Sequence, residues 1–275
     1  MKHSIEFLEK KAFEYRKRFL ELFTTIGFGH VTSAFSWTEI ATVLYHEIMN
    51  ETDGLPQSDK LFVSKGHGAG MLFPIFEDLG YFSKEEMDNI VCIGGDTTKL
   101  RSLFYPGFDF YGGSLGIGLG CAAGMAKAGK INAKEWNVYC IVGDAENYEG
   151  SIWEAAAFSG FQKLDNLITI VDRNRLGCSD FTEHMLAIES LSEKWKAFNW
   201  EVYEVDGHNV ESLYEVLNFI KNKKNGKPHC IIANTNKGQG LNYLIDKPLM
   251  HGYMPKGKDI EKAFYELELN FGEHS

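Results

Sequence analysis

Two apolar runs of strand length are each followed by a polar side chain that could bind a metal ion. Asp144 follows residues 138–142, and Asn174 follows residues 167–171, with a helical pattern between the two runs. This order predicts a β-α-β unit whose parallel strands end at the same edge of a sheet. There, the carboxylate of Asp144, the amide oxygen of Asn174 and the nearby main-chain carbonyl of Leu176 would form an oxygen ligand set that suits Mg²⁺ or Ca²⁺. We therefore predict a dication site that carries a phosphorylated ligand, although either element alone is also typical of an ordinary loop.

Three of the nine histidines stand beside glycine at predicted breaks between elements, where a side chain can reach a cleft. They are His30 after Gly29, His67 in the sequence Ser-Lys-Gly-His-Gly, and His251 before Gly252. A single histidine is more often structural or exposed than catalytic. Because these three share the same kind of position, we predict that they belong to a site.

A glycine-rich stretch over residues 112–120 leads into a predicted helix of small residues. The amides at the start of such a helix, together with its dipole, favour an anion such as phosphate. The stretch also contains the G-x-G-x-x-A pattern of dinucleotide-binding folds, at Gly118, Gly120 and Ala123. That pattern needs a clear strand before it, and residues 108–111 are a weak candidate. A nicotinamide-dependent oxidoreductase therefore remains a lesser alternative.

These motifs resemble the transketolase family. Gly143, Asp144 and Ala145, with Glu149 close behind and Asn174 thirty residues after Asp144, are similar to the thiamin diphosphate motif of that family. Ala145 stands where the family motif has its second glycine, and the added methyl group narrows the permitted backbone angles. The resemblance implies that the metal bridges the two phosphates of thiamin diphosphate.

The resemblance also assigns roles to individual residues. It implies metal ligation by Asp144, Asn174 and the carbonyl of Leu176. It implies cofactor contacts for His67, Gly113, Leu115, Gly143, Asp144, Ala145, Asn174 and His251. It implies catalytic roles for His30, His67, Glu149 and His251, with Glu149 reaching toward the acid of a partner subunit that activates the cofactor. Glu149 is also compatible with a purely structural role, as an acidic residue that stabilises the start of a helix.

Strand and helix patterns alternate along the chain. Five strand candidates, separated by helices, predict an α/β fold with a doubly wound, mostly parallel sheet and helices on both faces, at residues 61–63, 138–142, 167–171, 201–205 and 229–233. This matches the diphosphate domain of the resembling family, and we predict a single domain over residues 1–275. Capping patterns predict helix starts at residues 36–39 and 83–86 and at Asn209, and a further helix over residues 186–198.

The resemblance covers only the first of the three domains of a full-length transketolase. The pyrimidine-binding and C-terminal domains are expected on a separate subunit, and such subunits would form a heterotetramer. The implied reaction is transfer of a two-carbon ketol unit from a ketose or ketose phosphate to an aldose. A thiamin-dependent synthase that uses a 2-oxo acid or another donor is the alternative.

One departure from the family bears on the donor. Leu100 stands where transketolases have a histidine that binds a donor hydroxyl, and no histidine occurs between His67 and His184. We expect either a donor that lacks this hydroxyl or a replacement contact, with Lys99 and Arg101 as candidates.

Composition limits the classes of partner and the compartment. The formal net charge is -10 and no basic run occurs, which disfavours nucleic-acid and anionic-membrane binding. The five cysteines are scattered, and no apolar stretch reaches the length of a membrane span. We expect a soluble cytoplasmic protein.

Overall fold

The computed structural model of the chain describes residues 1–50, 59–92 and 109–272. Its six strands form one sheet in the order β2-β1-β3-β4-β6-β5, and every neighbouring pair is parallel. The strands are β1 (Lys60–Val63), β2 (Phe110–Tyr111), β3 (Val138–Gly143), β4 (Leu167–Arg173), β5 (Glu201–Asp206) and β6 (His229–Asn234). The predicted doubly wound parallel sheet is confirmed, and the short edge strand β2 is the addition.

The helices of the described residues are α1 (Ile5–Ile26), α2 (Val31–Phe35), α3 (Thr38–Val43), α4 (Leu72–Asp78), α5 (Lys84–Ile90), α6 (Gly118–Ile131), α7 (Gly150–Phe161), α8 (Thr182–Met185), α9 (Leu191–Ala197), α10 (Val210–Ile220) and α11 (Lys258–Phe271). Short 3₁₀ turns precede α4 and α7, at Gly66–Met71 and Ala145–Tyr148. A π-helical turn, Leu44–Ile48, extends α3.

The central strands are apolar on both faces because helices cover both sides of the sheet. In β3, Tyr139 and Ile141 pack into one buried cluster with residues of α1 to α4. Val138, Cys140 and Val142 pack into a second cluster with residues of α6 and α7. This alternation follows from the two-residue period of a strand. Side chains on both faces of β3 thus anchor the strand whose carboxyl end leads to Asp144.

The predicted capping box at residues 36–39 is wrong. Ser36 has helical backbone angles, and α3 begins two residues later, at Thr38. The Ser36 hydroxyl donates to Oδ1 of Asp172, 2.7 Å away, and its oxygen accepts from Nδ2 of Asn174 at 3.2 Å, so partners distant in sequence hold the side chain that would cap a helix.

The other helix starts have different outcomes. The capping box of Ser83 and the cap at Asn209 are confirmed. The helix predicted over residues 186–198 begins only at Leu191, because the Ser190 hydroxyl accepts from the amide of Glu193 and caps it there.

Candidate active site

The loop after β4 folds over the carboxylate of Asp144 at the edge of the sheet. Oδ1 of Asp144 accepts from the amide of Ala145, 2.7 Å away. Oδ2 accepts from the amide of Arg175 and, at 3.1 Å, from the guanidinium of Arg173. Asn174 lies between these two arginines, so the structure brings Asp144 and the Asn174 loop together.

Asn174 and Leu176 are held in turn by their neighbours. Oδ1 of Asn174 accepts from the amide of Leu176 at 3.1 Å, and its Nδ2 donates to Ser36 Oγ at 3.2 Å. The carbonyl of Leu176 accepts from the buried ammonium of Lys237 at 3.2 Å, and the carbonyl of Gly177 does so at 2.9 Å. These carbonyls therefore already face a cation.

Asp144, Asn174 and the Leu176 carbonyl are oxygen donors of the kind that could hold a small dication together with a phosphorylated ligand. Burial and the Asp172 carboxylate raise the pKa of Asp144, against the opposing charge of Arg173, so a further cation would favour its ionised form. In the described parts of the chain, no group of three or more His, Cys, Asp or Glu side chains is arranged to hold a metal. The predicted set has one such side chain, and phosphate oxygens would have to supply further ligands.

The three predicted histidines lie together. The ring centroids of His67 and His251 are 4.7 Å apart, and the ring of His30 lies 5.5 Å from the first and 5.3 Å from the second. Burial and the Lys65 charge lower the pKa of His67 to about 2, and burial and Lys237 lower that of His251 to about 4. Burial and Lys237 also lower the pKa of His30. All three imidazoles are therefore neutral at pH 7.

The five-residue helix α2 connects the segments that carry these histidines. His30 is its N-terminal flanking residue. The carbonyl of Ser33 accepts from Lys65, two residues before His67, at 3.1 Å. The hydroxyl of Thr32 donates to the carbonyl of Met250, next to His251, at 3.2 Å. The convergence of the histidines thus depends on α2.

The glycine-rich stretch and Glu149 are placed differently from one another. A Cβ added to Gly113 would meet no described atom within 4 Å, so this backbone is open to a ligand. Leu115 is partly exposed, at 37%. Glu149 is exposed and flanks the start of α7 without a side-chain capping hydrogen bond, so its alternative role as an acidic residue that stabilises this helix start stays a prediction. Gly143 ends β3, and Ala145 opens the following 3₁₀ turn.

Sequence reasoning missed a buried ion pair next to the sheet edge that carries Asp144 and Asn174. Asp172, the partner of Gly143 in the β3–β4 register, accepts from the ammonium of Lys65 and from the hydroxyls of Ser36 and Thr235. Burial raises the pKa of Asp172, but the charge of Lys65 and the hydrogen bonds outweigh it and lower the pKa. Its signal in the sequence was a carboxylate that directly follows the buried run of residues 167–171.

Lys237 was also missed. It belongs to the Gly-rich loop after β6, and only the tertiary structure brings it to Leu176 and His251. Its ammonium is 2.9 Å from Nδ1 of His251. Burial lowers its pKa to about 8, with Lys65 adding to the effect and the carboxylates of Asp144 and Asp172 opposing it.

The nicotinamide alternative lacks support in this geometry. Gly118 and Gly120 lie inside the first turn of α6, and the amide of Gly118 donates to Ser64 Oγ at 3.1 Å. The strand before them, β2, has two residues and lies at the edge of the sheet.

Leu100, Lys99 and Arg101 lie outside the described residues, so the hypothesis about the donor substrate stays a prediction. Across the described residues, no helix combines the length and apolar character that crossing a bilayer requires.

The sequence is similar to those of known proteins. Residues 13–272 match the family model described as transketolase, thiamine diphosphate binding domain. An apulose-4-phosphate transketolase subunit of Phocaeicola vulgatus is 34% identical over 266 residues, which cover 96% of this chain and 94% of that protein. The 6-deoxy-6-sulfo-D-fructose transketolase subunit SqwG of Clostridium sp. is 34% identical, with 95% and 96% covered. Human transketolase is 37% identical over 90% of this chain, which spans 40% of the human protein.

Solved structures agree on the fold. Transketolase from Leishmania mexicana has a TM-score of 0.83 at 24% identity, and the match covers 99% of this chain and 42% of that one. Transketolase from Campylobacter jejuni has a TM-score of 0.81 at 24% identity, with 98% and 43% covered. Together with the family model, which matches nearly the whole chain, these relatives establish that the chain belongs to the transketolase family, in which it is a thiamine diphosphate binding domain.

Proposed function

We propose that this chain is the cofactor-binding subunit of a split transketolase. It forms a single diphosphate-binding domain, and the pyrimidine-binding and C-terminal domains lie on a partner subunit. Together the two subunits transfer a two-carbon ketol unit from a ketose or ketose phosphate to an aldose. The observation that carries this proposal is the convergence of three neutral histidines beside the Asp144 edge.

The lengths of the relatives support the split organisation. This chain spans 94% and 97% of two proteins that are named as single subunits of an apulose-4-phosphate transketolase, but 40% of human transketolase. A protein named as one subunit implies at least one other. No feature of the described site favours a 2-oxo acid over a ketose as donor.

Different residues of this chain would bind the metal and the cofactor. Asp144, Asn174 and the Leu176 carbonyl would hold Mg²⁺, or Ca²⁺ in its place. Gly113 and Leu115 would lie against the cofactor. Thiamine diphosphate, when bound, supplies a nucleophilic thiazolium carbon for ketol transfer.

The three histidines are proposed to bind oxygen atoms of the substrate. Nδ1 of His251 accepts from the Lys237 ammonium, so its proton is on Nε2, which can donate to a substrate oxygen or return a proton to it. Because their pKa values are lowered, His30, His67 and His251 stabilise developing charge as neutral donors. Their clustering suits a substrate with several neighbouring oxygens, such as a sugar.

One exposed face of α7 is the proposed contact with the partner. Ala157, Phe158 and Phe161 are exposed on this face, Phe161 to 81%. These positions recur at helical spacing, so they share one side. Glu149 immediately precedes the same helix, which makes the face continuous with the candidate site. Two heterodimers, each of this chain and its partner subunit, related by a two-fold axis would give a heterotetramer.

The five free cysteines fit a cytoplasmic location.

Reconstitution tests this proposal. The chain is purified alone and together with a candidate partner that carries a pyrimidine-binding domain. Thiamine diphosphate binding with Mg²⁺ is measured by calorimetry, and ketol transfer is measured with xylulose 5-phosphate and an aldose phosphate. We expect activity only in the assembled enzyme, and its loss with Phe158→Glu in α7. Ketol transfer by the chain alone would contradict the split assignment, and NADH binding in place of thiamine diphosphate would contradict the cofactor class.

A further inference from the structure

A buried glutamate next to Asp144 receives three hydrogen bonds from three separate segments. Glu146 lies in the 3₁₀ turn after β3 and is 1% exposed. Its Oε1 accepts from the Ser64 hydroxyl and, at 2.8 Å, from the amide of Gly116. Its Oε2 accepts from the amide of Gly143 at 2.9 Å. One carboxylate thus joins the end of β1, the glycine-rich stretch and the end of β3.

Each joined segment carries residues of the proposed site. Ser64 precedes the turn of Lys65 and His67, Gly116 follows Leu115, and Gly143 precedes Asp144. A second link strengthens the arrangement, because Ser64 Oγ also accepts from the amide of Gly118 at 3.1 Å.

The backbone at Gly116 has little conformational freedom. The Gly116 carbonyl accepts from Ser151 Oγ at 2.9 Å, so both its amide and its carbonyl are fixed by side chains. Its φ is +82°, and an added Cβ would lie 2.4 Å from Ser151 Oγ. The position of the glycine-rich stretch relative to Asp144 is therefore set by Glu146 and Ser151.

We propose that Glu146 is a positioning residue. It holds the glycine-rich stretch, the turn of His67 and the end of β3 before Asp144 in the relative positions that bind the diphosphate of the cofactor. The proposal rests on the proposed function and adds a residue to which nothing above assigns a role. All three partners of the carboxylate donate, so it acts in its ionised form.

A merely structural role predicts a different result from a positioning role, and a matched control separates them. Glu47 is also buried, at 4% exposure, and also accepts three hydrogen bonds, from the amides of Lys2 and His3 and from the His3 ring. Its partners belong to the N-terminal segment. Glu47→Gln therefore reproduces the loss of a buried carboxylate without touching the three joined segments.

The experiment compares wild type, Glu146→Gln and Glu47→Gln, each assembled with the partner subunit. Calorimetry gives the affinity for thiamine diphosphate with Mg²⁺, denaturant unfolding gives the stability, and amide hydrogen exchange reports on Gly116 and Gly143. We expect Glu146→Gln to weaken the affinity about 10- to 100-fold and to speed exchange at both glycines. We expect Glu47→Gln to lower stability with unchanged affinity.

The outcomes separate this inference from the proposed function. If wild type does not bind thiamine diphosphate, the proposed function fails. If wild type binds and folded Glu146→Gln binds equally well, the positioning role is overturned. Should Glu146→Gln not fold, Ser64→Ala removes one of the three donors and carries the test. A several-fold weaker affinity in Ser64→Ala supports the role, and an unchanged affinity overturns it.

Discussion

The ammonium of Lys237 lies 2.9 Å from Nδ1 of His251 while it also donates to the carbonyls of Leu176 and Gly177. One buried cation thus joins a proposed catalytic histidine to the loop of a proposed metal ligand. Since an ammonium can only donate, it fixes His251 in the Nε2-protonated form. The proton-bearing nitrogen is then available to the substrate.

Replacing this lysine should change the state of the histidine. We expect Lys237→Met to mix the two tautomers of His251, because Nδ1 loses its donor, and to weaken thiamine diphosphate binding in the assembled enzyme. Imidazole ¹⁵N chemical shifts measure the tautomer directly. Lys134→Met, at an exposed lysine after α6, serves as the control. A His251 spectrum identical in Lys237→Met and wild type would remove the proposed coupling.

The proposed metal ligands should be required for cofactor binding and dispensable for the fold. We expect Asp144→Asn and Asn174→Ala to abolish Mg²⁺-dependent binding of thiamine diphosphate, because the diphosphate charge would lose its bridging cation, at a cost of several kcal/mol. Calorimetry with Mg²⁺ and with a chelator measures the effect. Asp180→Ala is the control, since among the described residues the half-exposed carboxylate of Asp180 forms hydrogen bonds with the Phe181 amide and His184 only. Wild-type affinity in either ligand variant rules out the assignment.

Alanine substitutions at two glycines of the glycine-rich stretch should affect different properties, stability at Gly116 and cofactor binding at Gly113. Gly116→Ala combines a left-handed φ with a close contact to Ser151 and Glu149, so we expect unfolding free energy to fall by about 1–3 kcal/mol. Gly113→Ala has no such contact, so we expect unchanged stability and weaker cofactor binding. Denaturant unfolding and calorimetry on both variants make the comparison. Equal cofactor affinity in Gly113→Ala and wild type argues against the contact proposed for Gly113.

The buried histidines predict a pH dependence of stability. The pKa of His67 is about 2 in the folded chain and near 6.5 in the unfolded chain, so the unfolded chain binds the proton first as the pH falls. Stability should therefore decrease from pH 7 to pH 5, by about 2 kcal/mol for His67 alone. Denaturant unfolding of wild type and His67→Asn gives this difference. A His67→Asn slope as steep as that of wild type would count against a neutral buried imidazole.

The sheet was predictable because its signals are local. Apolar runs such as residues 167–171 define strands, and their order along the chain defines the carboxyl edge at which Asp144 and Asn174 emerge. The capping pattern at Ser36 was misleading because Asp172, far away in sequence, binds the same hydroxyl. Lys237 could not be assigned for a similar reason, since its three contacts are set by how the loop after β6 folds back.

The histidines were singled out by their neighbouring glycines, but their common support was not. Helix α2 has five residues, too few for a clear periodic pattern, and it acts through two backbone carbonyls, which any sequence would supply, and one threonine hydroxyl.

The dependence of the site on α2 has a consequence for local unfolding. The carbonyl of Thr32 accepts from the amide of Gly238 at 2.9 Å, its hydroxyl holds the segment of His251, and the carbonyl of Ser33 holds Lys65. Local opening of this one short helix would release all three histidine segments together, so the site should be lost as a single cooperative unit. We expect the amides of residues 31–35, Gly238 and Gly68 to share one opening free energy in native-state hydrogen exchange. Thr32→Val would then lower protection at all of these amides together.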